Sequence, residues 1–395
     1  MASIQKYSNY DVDKSGDIVV LQYIPNSGLK EIKYEHYKLI KYDRDSKLHE
    51  SLGLFRSVIF SNDELICYSP QKSISFEEFK LFPFNTISIE ENIEGTMINL
   101  FFDHHIQKWV YASKSNIGAN CKFYVDTITF HEMYEDCLLN SKLNYDELNK
   151  QYCYSFVIQH PKNRIVIPFE NTSLFLVNVY HCFRKDNFNL VENIPIENVK
   201  YMFVHSSVKF PKVYTFDSYE SIHMQESWFF KGYMLKTDFY RCKLINPNYE
   251  HIKELRGNQP NYKYYYLMLR KNQNILKEFL QYFPEYIENS MEHEKEIKQY
   301  TSTLFKQYIS CFIHKNMKLR EYPPKYKTHM YQLHQMYMNI LAPEKKYITY
   351  LITEKYINDL HPSQLMFSLN YEFHKQQEHV ILHNDLISSD YLIIS

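Results

Sequence analysis

The spacing of apolar residues changes once along this 395-residue chain, and the change limits what each part can fold into. Up to about residue 256 the apolar positions form short runs separated by turn residues. Residues 17–24 read as a strand ending at the turn cluster Pro25-Asn26-Ser27-Gly28. Residues 57–60 and 65–68 flank a polar four-residue link and predict a hairpin. Residues 96–102 and 109–113 predict a second strand pair, and residues 155–159 and 164–167 a third, around His160-Pro161-Lys162-Asn163. Strands paired locally in this way predict an antiparallel α+β architecture. After Gly257 the period becomes helical. Leu276, Phe279, Leu280 and Phe283 repeat at i, i+3, i+4, i+7 and stop at Pro284. Leu333, Met336, Tyr337 and Ile340 repeat the pattern before Pro343, and Ile348, Leu351, Ile352 and Tyr356 give another. Two domains follow as an expectation, 1–256 mixed and 257–395 all-helical, with Arg256-Gly257-Asn258-Gln259-Pro260 as the boundary.

The formal charge of -1 leaves no bulk attraction for nucleic acid, so any such contact has to come from a local basic surface. No apolar run approaches the roughly 18 residues of a membrane span. Residues 1–10 have no apolar stretch of the secretory kind, and no membrane partner is expected. The seven cysteines are an odd number with no CxxC spacing, which predicts reduced thiols, a cytoplasmic setting and no zinc ribbon. The adjacent His104 and His105 point to opposite sides of a strand and make a poor chelate, so no metal site is expected. The 37 tyrosines accompany abundant Lys, Asn and Ile, a bias that an A/T-rich genome produces without function. Aromatic-basic runs such as residues 261–266 are therefore read first as surface and core. The seven glycines carry more weight, because a chain so poor in glycine keeps it where the backbone needs it.

Five of those glycines fall in or beside segments with a chemical pattern. Gly53-Leu54-Phe55-Arg56-Ser57 precedes a strand and the basic loop that contains Lys72. Glu91-Asn92-Ile93-Glu94-Gly95-Thr96 opens the next strand. Residues 109–118 end a strand in Ser113-Lys114 and reach Gly118. Residues 156–166 contain Pro161-Lys162-Asn163-Arg164-Ile165-Val166, the most specific run in the chain. Phe230-Lys231-Gly232 and Arg241-Cys242-Lys243 complete the series, with Gly257 close behind.

In order and spacing, over about residues 40–250, these segments resemble the bacteriophage-type RNA ligase branch of the covalent nucleotidyltransferases. The resemblance implies a DNA/RNA ligase-like nucleotidyltransferase domain, unrelated to the ATP-grasp fold, of antiparallel sheets with helices, followed by an all-α C-terminal domain. It implies ATP and Mg²⁺ as cofactors, and RNA or a nucleotide as the partner. In that family a Lys-x-Asp-Gly tetrad supplies a lysine that attacks the α-phosphate of ATP; here Asn92 stands at the lysine position. An amide nitrogen shares its lone pair with the carbonyl and is no nucleophile. Val157 stands where the family has a ribose-binding glutamate, and Lys231 where it has a metal-binding glutamate. The phosphate-facing bases have counterparts in Arg56, Lys114, Arg164, Arg241 and Lys243, with Glu94 and Gly95 beside the nucleotide. Every departure removes chemistry and leaves cations. The first expectation is therefore a pseudo-ligase that binds RNA or nucleotide without lysyl-adenylate chemistry. An active ligase using another lysine, such as Lys72 or Lys243, and a structural virion protein remain open beside it. The composition suits a large DNA virus, and so a place in the host cytoplasm or the virion.

Overall fold

A computed structural model of the chain describes residues 18–21, 29–43, 53–123, 127–185, 188–237 and 240–372. The turn expected at Pro25–Gly28 lies outside them. The chain divides into two compact units, Met1–Gly257 and Asn258–Ser395.

The first unit is built on three antiparallel sheets. The largest runs, in spatial order, Ile18–Leu21 (β1), Phe188–Ile194 (β11), Ser173–Lys185 (β10), Tyr152–Gln159 (β9), Thr96–Asp103 (β7) and Lys108–Ala112 (β8). A second is Leu29–Lys33 (β2), Lys38–Tyr42 (β3), Val58–Ser61 (β4) and Glu64–Tyr68 (β5). The third is Val213–Tyr214 (β12), Ser88–Glu91 (β6), Gly232–Lys236 (β13) and Arg241–Ile245 (β14). The hairpin expected around residues 57–68 is present. Asn62 and Asp63 sit at φ 47° and 64°, the left-handed pair that a two-residue turn demands and that Asn and Asp tolerate best. The pair 96–102 with 109–113 is also present, as β7 and β8.

The third expected pair is not. Residues 164–167 form no strand, and β9 pairs instead with β7 and β10. Pro161 starts a single 3₁₀ turn, and the amides of Val166 and Ile167 both donate to the Glu94 carboxylate, so they have no ladder to join.

Strand alternation sorts the core. Tyr154, Phe156 and Ile158 of β9, with Ile98 and Leu100 of β7, pack under the helix Phe130–Ser141 (α2) through Met133, Tyr134 and Cys137. Cys153 and Phe101 face the other way, onto Leu39, Val58 and Phe60 of the second sheet. Val157, on that same side of β9, joins Ile93 and Val177 in a small separate cluster. Ile89, Tyr233, Leu235 and Cys242 of the third sheet pack with Phe79 of the short helix Phe76–Phe79 (α1). Pro247–Arg256 (α3) closes the unit. Gly257 ends it at φ +61°, a conformation glycine adopts without strain.

The second unit is helical. Its helices are Tyr262–Leu269 (α4), Gln273–Tyr282 (α5), Ile287–Tyr308 (α6), Pro324–Met336 (α7), Tyr350–Asp359 (α8) and Pro362–Leu369 (α9). Leu276 and Phe279 are buried on α5 as the spacing predicts. Leu351 and Ile340 are exposed, because α8 buries Thr353 and Ile357 and the end of α7 buries Leu333 and Leu341. The chain is therefore α+β, antiparallel sheets with helices followed by helices alone. Among the described residues no helix is long and apolar enough to cross a membrane, and all seven cysteines carry free thiols.

Candidate phosphate-binding groove

Two glycines let three strands meet. Gly95 has φ +145°, and a Cβ there would lie 2.2 Å from the Ile158 carbonyl oxygen and 2.7 Å from Val157 Cγ1. Gly232 has φ +127°, and its Cβ would lie 2.0 Å from the Leu244 carbonyl oxygen. The space each leaves free is filled by a neighbouring strand. Gly95, expected beside the nucleotide, lines the candidate groove, and its missing side chain makes room for β9. Beyond β6 the Asn92 amide donates to the Gly232 carbonyl at 2.9 Å, which fixes Asn92 beside the start of β13. Asn246, the buried N-cap of α3, donates from Nδ2 to the carbonyls of Gln225, Ser227 and Phe230, and its amide donates to the Lys231 carbonyl at 3.0 Å. The loop leading into Lys231 is thereby pinned.

These elements surround a groove of about 110 Å³ that brings together Arg56, Asn92, Gly95, Arg241 and Lys243, along with Glu90, Glu91, Lys231 and Lys236. Glu90, Val177, Asn178, Lys236 and Arg241 also line an adjoining chamber of about 570 Å³, so the two form one continuous depression. Alternation explains the lining. Met234 and Lys236 face the groove while Tyr233 and Leu235 enter the core, and Arg241 and Lys243 flank the core residue Cys242.

The electrostatics are one-sided. Arg241 is 7% exposed, and its Nε has no acceptor among the described residues. Burial lowers its pKa first and Arg56 second; Tyr180, Tyr68 and Tyr42 oppose the shift. Arg56 is likewise lowered by burial, and its Nη1 donates a 3.5 Å bond to the Pro70 carbonyl. Both guanidinium groups stay charged, since arginine does not deprotonate in proteins. The Lys231 ammonium donates to the Ile93 carbonyl at 3.1 Å; burial pulls its pKa to about 8 against the pull of Glu94. Lys243 keeps solvent contact along its side chain, but its ammonium is lowered to about 6, by desolvation and then by Arg241, Lys231, Arg56 and Lys253. Lys236 is the groove cation with an acidic partner, Glu90 at 2.6 Å. The amide of Asn92, 4% exposed, has an Nδ2 without an acceptor among the described residues.

Three residues expected at the site lie elsewhere. Glu94 is 2% exposed and turns inward. Its Oε1 accepts from the amides of Val166 and Ile167, each at 3.0 Å, so the carboxylate clamps a loop and does not line the groove. Arg164 does not line it either, and its Nε donates to the Val166 carbonyl at 2.9 Å. Lys114 sits over the Tyr42 ring, 4.6 Å from its centroid, outside the lining. Two groove cations were missed as such by sequence reasoning. Lys231 was seen only as a replacement for an acid, and Lys236 was not singled out, although its alternation with Met234 was the available signal. Among the described residues no cluster of three or more His, Cys, Asp or Glu is placed to hold a metal ion.

No protein-family model matches the chain. It is 26% identical over 311 residues to the immediate-early protein ICP-46 homolog of Invertebrate iridescent virus 6, covering 71% of this chain and 64% of that protein. A homolog of the same name from Invertebrate iridescent virus 3 is 22% identical over 236 residues, 56% of this chain and 48% of that protein. The chain thus spans about half to two thirds of the length of these relatives. An RNA ligase of Rhodothermus phage RM378 is 26% identical over 102 residues, covering 24% of this chain and 23% of that one. Among solved structures, an archaeal ATP-dependent RNA ligase matches at 11% identity and a TM-score of 0.40, covering 69% of this chain and 77% of that one. A putative ATP-dependent DNA ligase from Aquifex aeolicus matches at 13% identity and a TM-score of 0.39, covering 79% and 78%. The resemblance to RNA ligases is thus present in aligned sequence as well as in the order of motifs, and the three sequence matches are to proteins of viruses.

Proposed function

We propose that the first unit binds the phosphate groups of a nucleotide or of an RNA end in this groove, and that the chain acts as a pseudo-ligase, without a lysyl-adenylate at position 92. The observation that carries this reading is the buried Arg241 guanidinium, with an orphan Nε and Arg56 beside it instead of a carboxylate. An unpaired buried charge is strongly unfavourable, and a chain that keeps one beside a second, half-buried guanidinium has an anion to receive. Asn92, with its unused Nδ2, offers that anion a hydrogen bond where the family offers a nucleophile. ATP is the nucleotide that the similarity to RNA ligases suggests. As a viral protein it would act in the host cytoplasm or be carried in the virion.

One observation favours a second reading. Lys231 delivers an amine to the same groove from the strand beside Asn92, which would suit a ligase with a displaced nucleophile. Incubation with ATP labelled at the α-phosphate separates the two. A pseudo-ligase stays unlabelled at high protein concentration, whereas a label that survives denaturation and maps to a lysine would make the chain an enzyme. Binding of ATP and of a 5′-phosphorylated oligoribonucleotide should weaken as salt rises and in Lys243→Glu, and survive in Arg164→Ala. Binding that ignores Lys243→Glu would place the binding surface elsewhere.

A further inference from the structure

We infer that the groove takes its phosphate ligand without a divalent cation, the protein's own ammonium and guanidinium groups holding the charge that a metal would otherwise hold. This rests on the groove being the phosphate site, and it deepens that reading by naming the ionic form of the ligand.

The argument starts from what Mg²⁺ needs. It is a hard cation that binds through one or two carboxylates together with substrate phosphates, and it keeps several waters. The carboxylates lining the groove are Glu90 and Glu91. Glu90 is held by Lys236 at 2.6 Å. Glu91 is raised by burial, so its surroundings disfavour the charged form a metal would require. Glu94 commits Oε1 to two backbone amides and does not line the groove. Against these stand five basic side chains lining the same space, Arg56, Lys231, Lys236, Arg241 and Lys243, of which Lys243 gains its proton as an anion arrives. A divalent ion arriving there meets like charge from β13, β14 and the residues that lead into β4 and β13, and the donor set does not fit it. A phosphate meets the reverse: two guanidinium groups, three amines and the Asn92 amide all line the space it would occupy.

The chemistry selected is a phosphate that carries little bound metal. A terminal monophosphate such as an RNA 5′ end qualifies directly, and a nucleoside triphosphate qualifies in its metal-free form. Binding is measured by calorimetry on the full chain, with ATP and with a 5′-monophosphorylated oligoribonucleotide as separate arms. Each arm is run in excess EDTA and in excess MgCl₂ at matched ionic strength. The expected result is that ATP binds about tenfold or more tightly in EDTA, a difference of ~1.4 kcal/mol, while the oligoribonucleotide changes less. Lys231→Glu should reverse the preference, with ATP binding strengthened by Mg²⁺. Should that variant fail to fold, the wild-type comparison decides alone. ATP affinity that rises with Mg²⁺ in the wild type overturns this inference and leaves the phosphate groove standing. Absence of binding in every arm overturns the groove itself.

Discussion

The two units treat buried charge differently. In the helical unit the ionic groups removed from water have partners: Lys263 bonds to Glu296 at 2.8 Å and to Asn370 at 2.8 Å, Arg270 bonds to Asn358, and the buried His329 lies between the hydroxyls of Tyr356 and Ser368. In the sheet unit the groove collects Arg56, Arg241, Lys231 and Lys243, and among the described residues none of the four has a carboxylate within ion-pair distance. Elsewhere in the same unit Glu94 commits Oε1 to the amides of residues 166 and 167, while its Oε2 has no donor among the described residues. Asp103 also leaves a buried Oδ2 without a donor among the described residues, but four basic side chains gathered in one groove with no carboxylate at ion-pair distance mark a site whose partner arrives from outside.

Four experiments would break or sharpen this contrast. The largest effect is expected from Glu94→Ala, which strands two buried amides. Unfolding free energy should fall by about 3 kcal/mol, from ~1–3 kcal/mol per unsatisfied group. Thermal denaturation reads it, and an unchanged Tm with lost phosphate binding would return Glu94 to the site. Arg241→Met comes next. Losing a charge-assisted bond should weaken phosphate affinity about ten- to hundredfold, ~1.5–3 kcal/mol. The Tm of the unliganded protein should hold or rise, because a buried unpaired charge is removed. A lower Tm would show that Arg241 is structural, and the contrast between the units would go with it.

Lys243 gives a pH signature. Its proton leaves at about 6 in the folded chain and at its ordinary 10.5 in the unfolded one, so the unfolded state holds more protons between those values and its contribution to stability rises with pH across that window. A bound phosphate pulls the value back up. Binding then takes up a proton, and affinity falls as pH climbs above about 6. Lys243→Met should flatten both dependences, and calorimetry in buffers of different ionisation enthalpy checks the proton uptake. The smallest effect belongs to the paired unit. A double-mutant cycle on Lys263→Met and Glu296→Gln should give a coupling below about 1 kcal/mol, as for a partly exposed ion pair. A coupling several times larger would mean that the pairing itself is a device of that unit.

Local chemistry made part of this legible in the sequence. Asn62 and Asp63 carry their turn in their own backbone preference, and Phe279 carries its burial in the period of α5. Arg56, Arg241 and Lys243 were readable through the resemblance to RNA ligases, whose phosphate-facing bases they match, and strand alternation turns Arg241 and Lys243 to the groove while Cys242 enters the core. Arg164 and Glu94 were misplaced because a charged residue beside a glycine or an asparagine looks the same whether it faces solvent, ligand or an amide of its own fold. The strand expected at 164–167 failed for that reason too. Its apolar residues fit a strand, but its amides were already claimed by a carboxylate 72 residues earlier in the chain.

By itself the sequence determined two of the hairpins, the change from sheet to helix and the absence of an amine at position 92, since these depend on period, turn chemistry and residue identity. Only the tertiary structure decided which charges share a space. Coulomb energy depends on distance and on the depth of burial, and both are set when strands far apart in the chain are brought edge to edge.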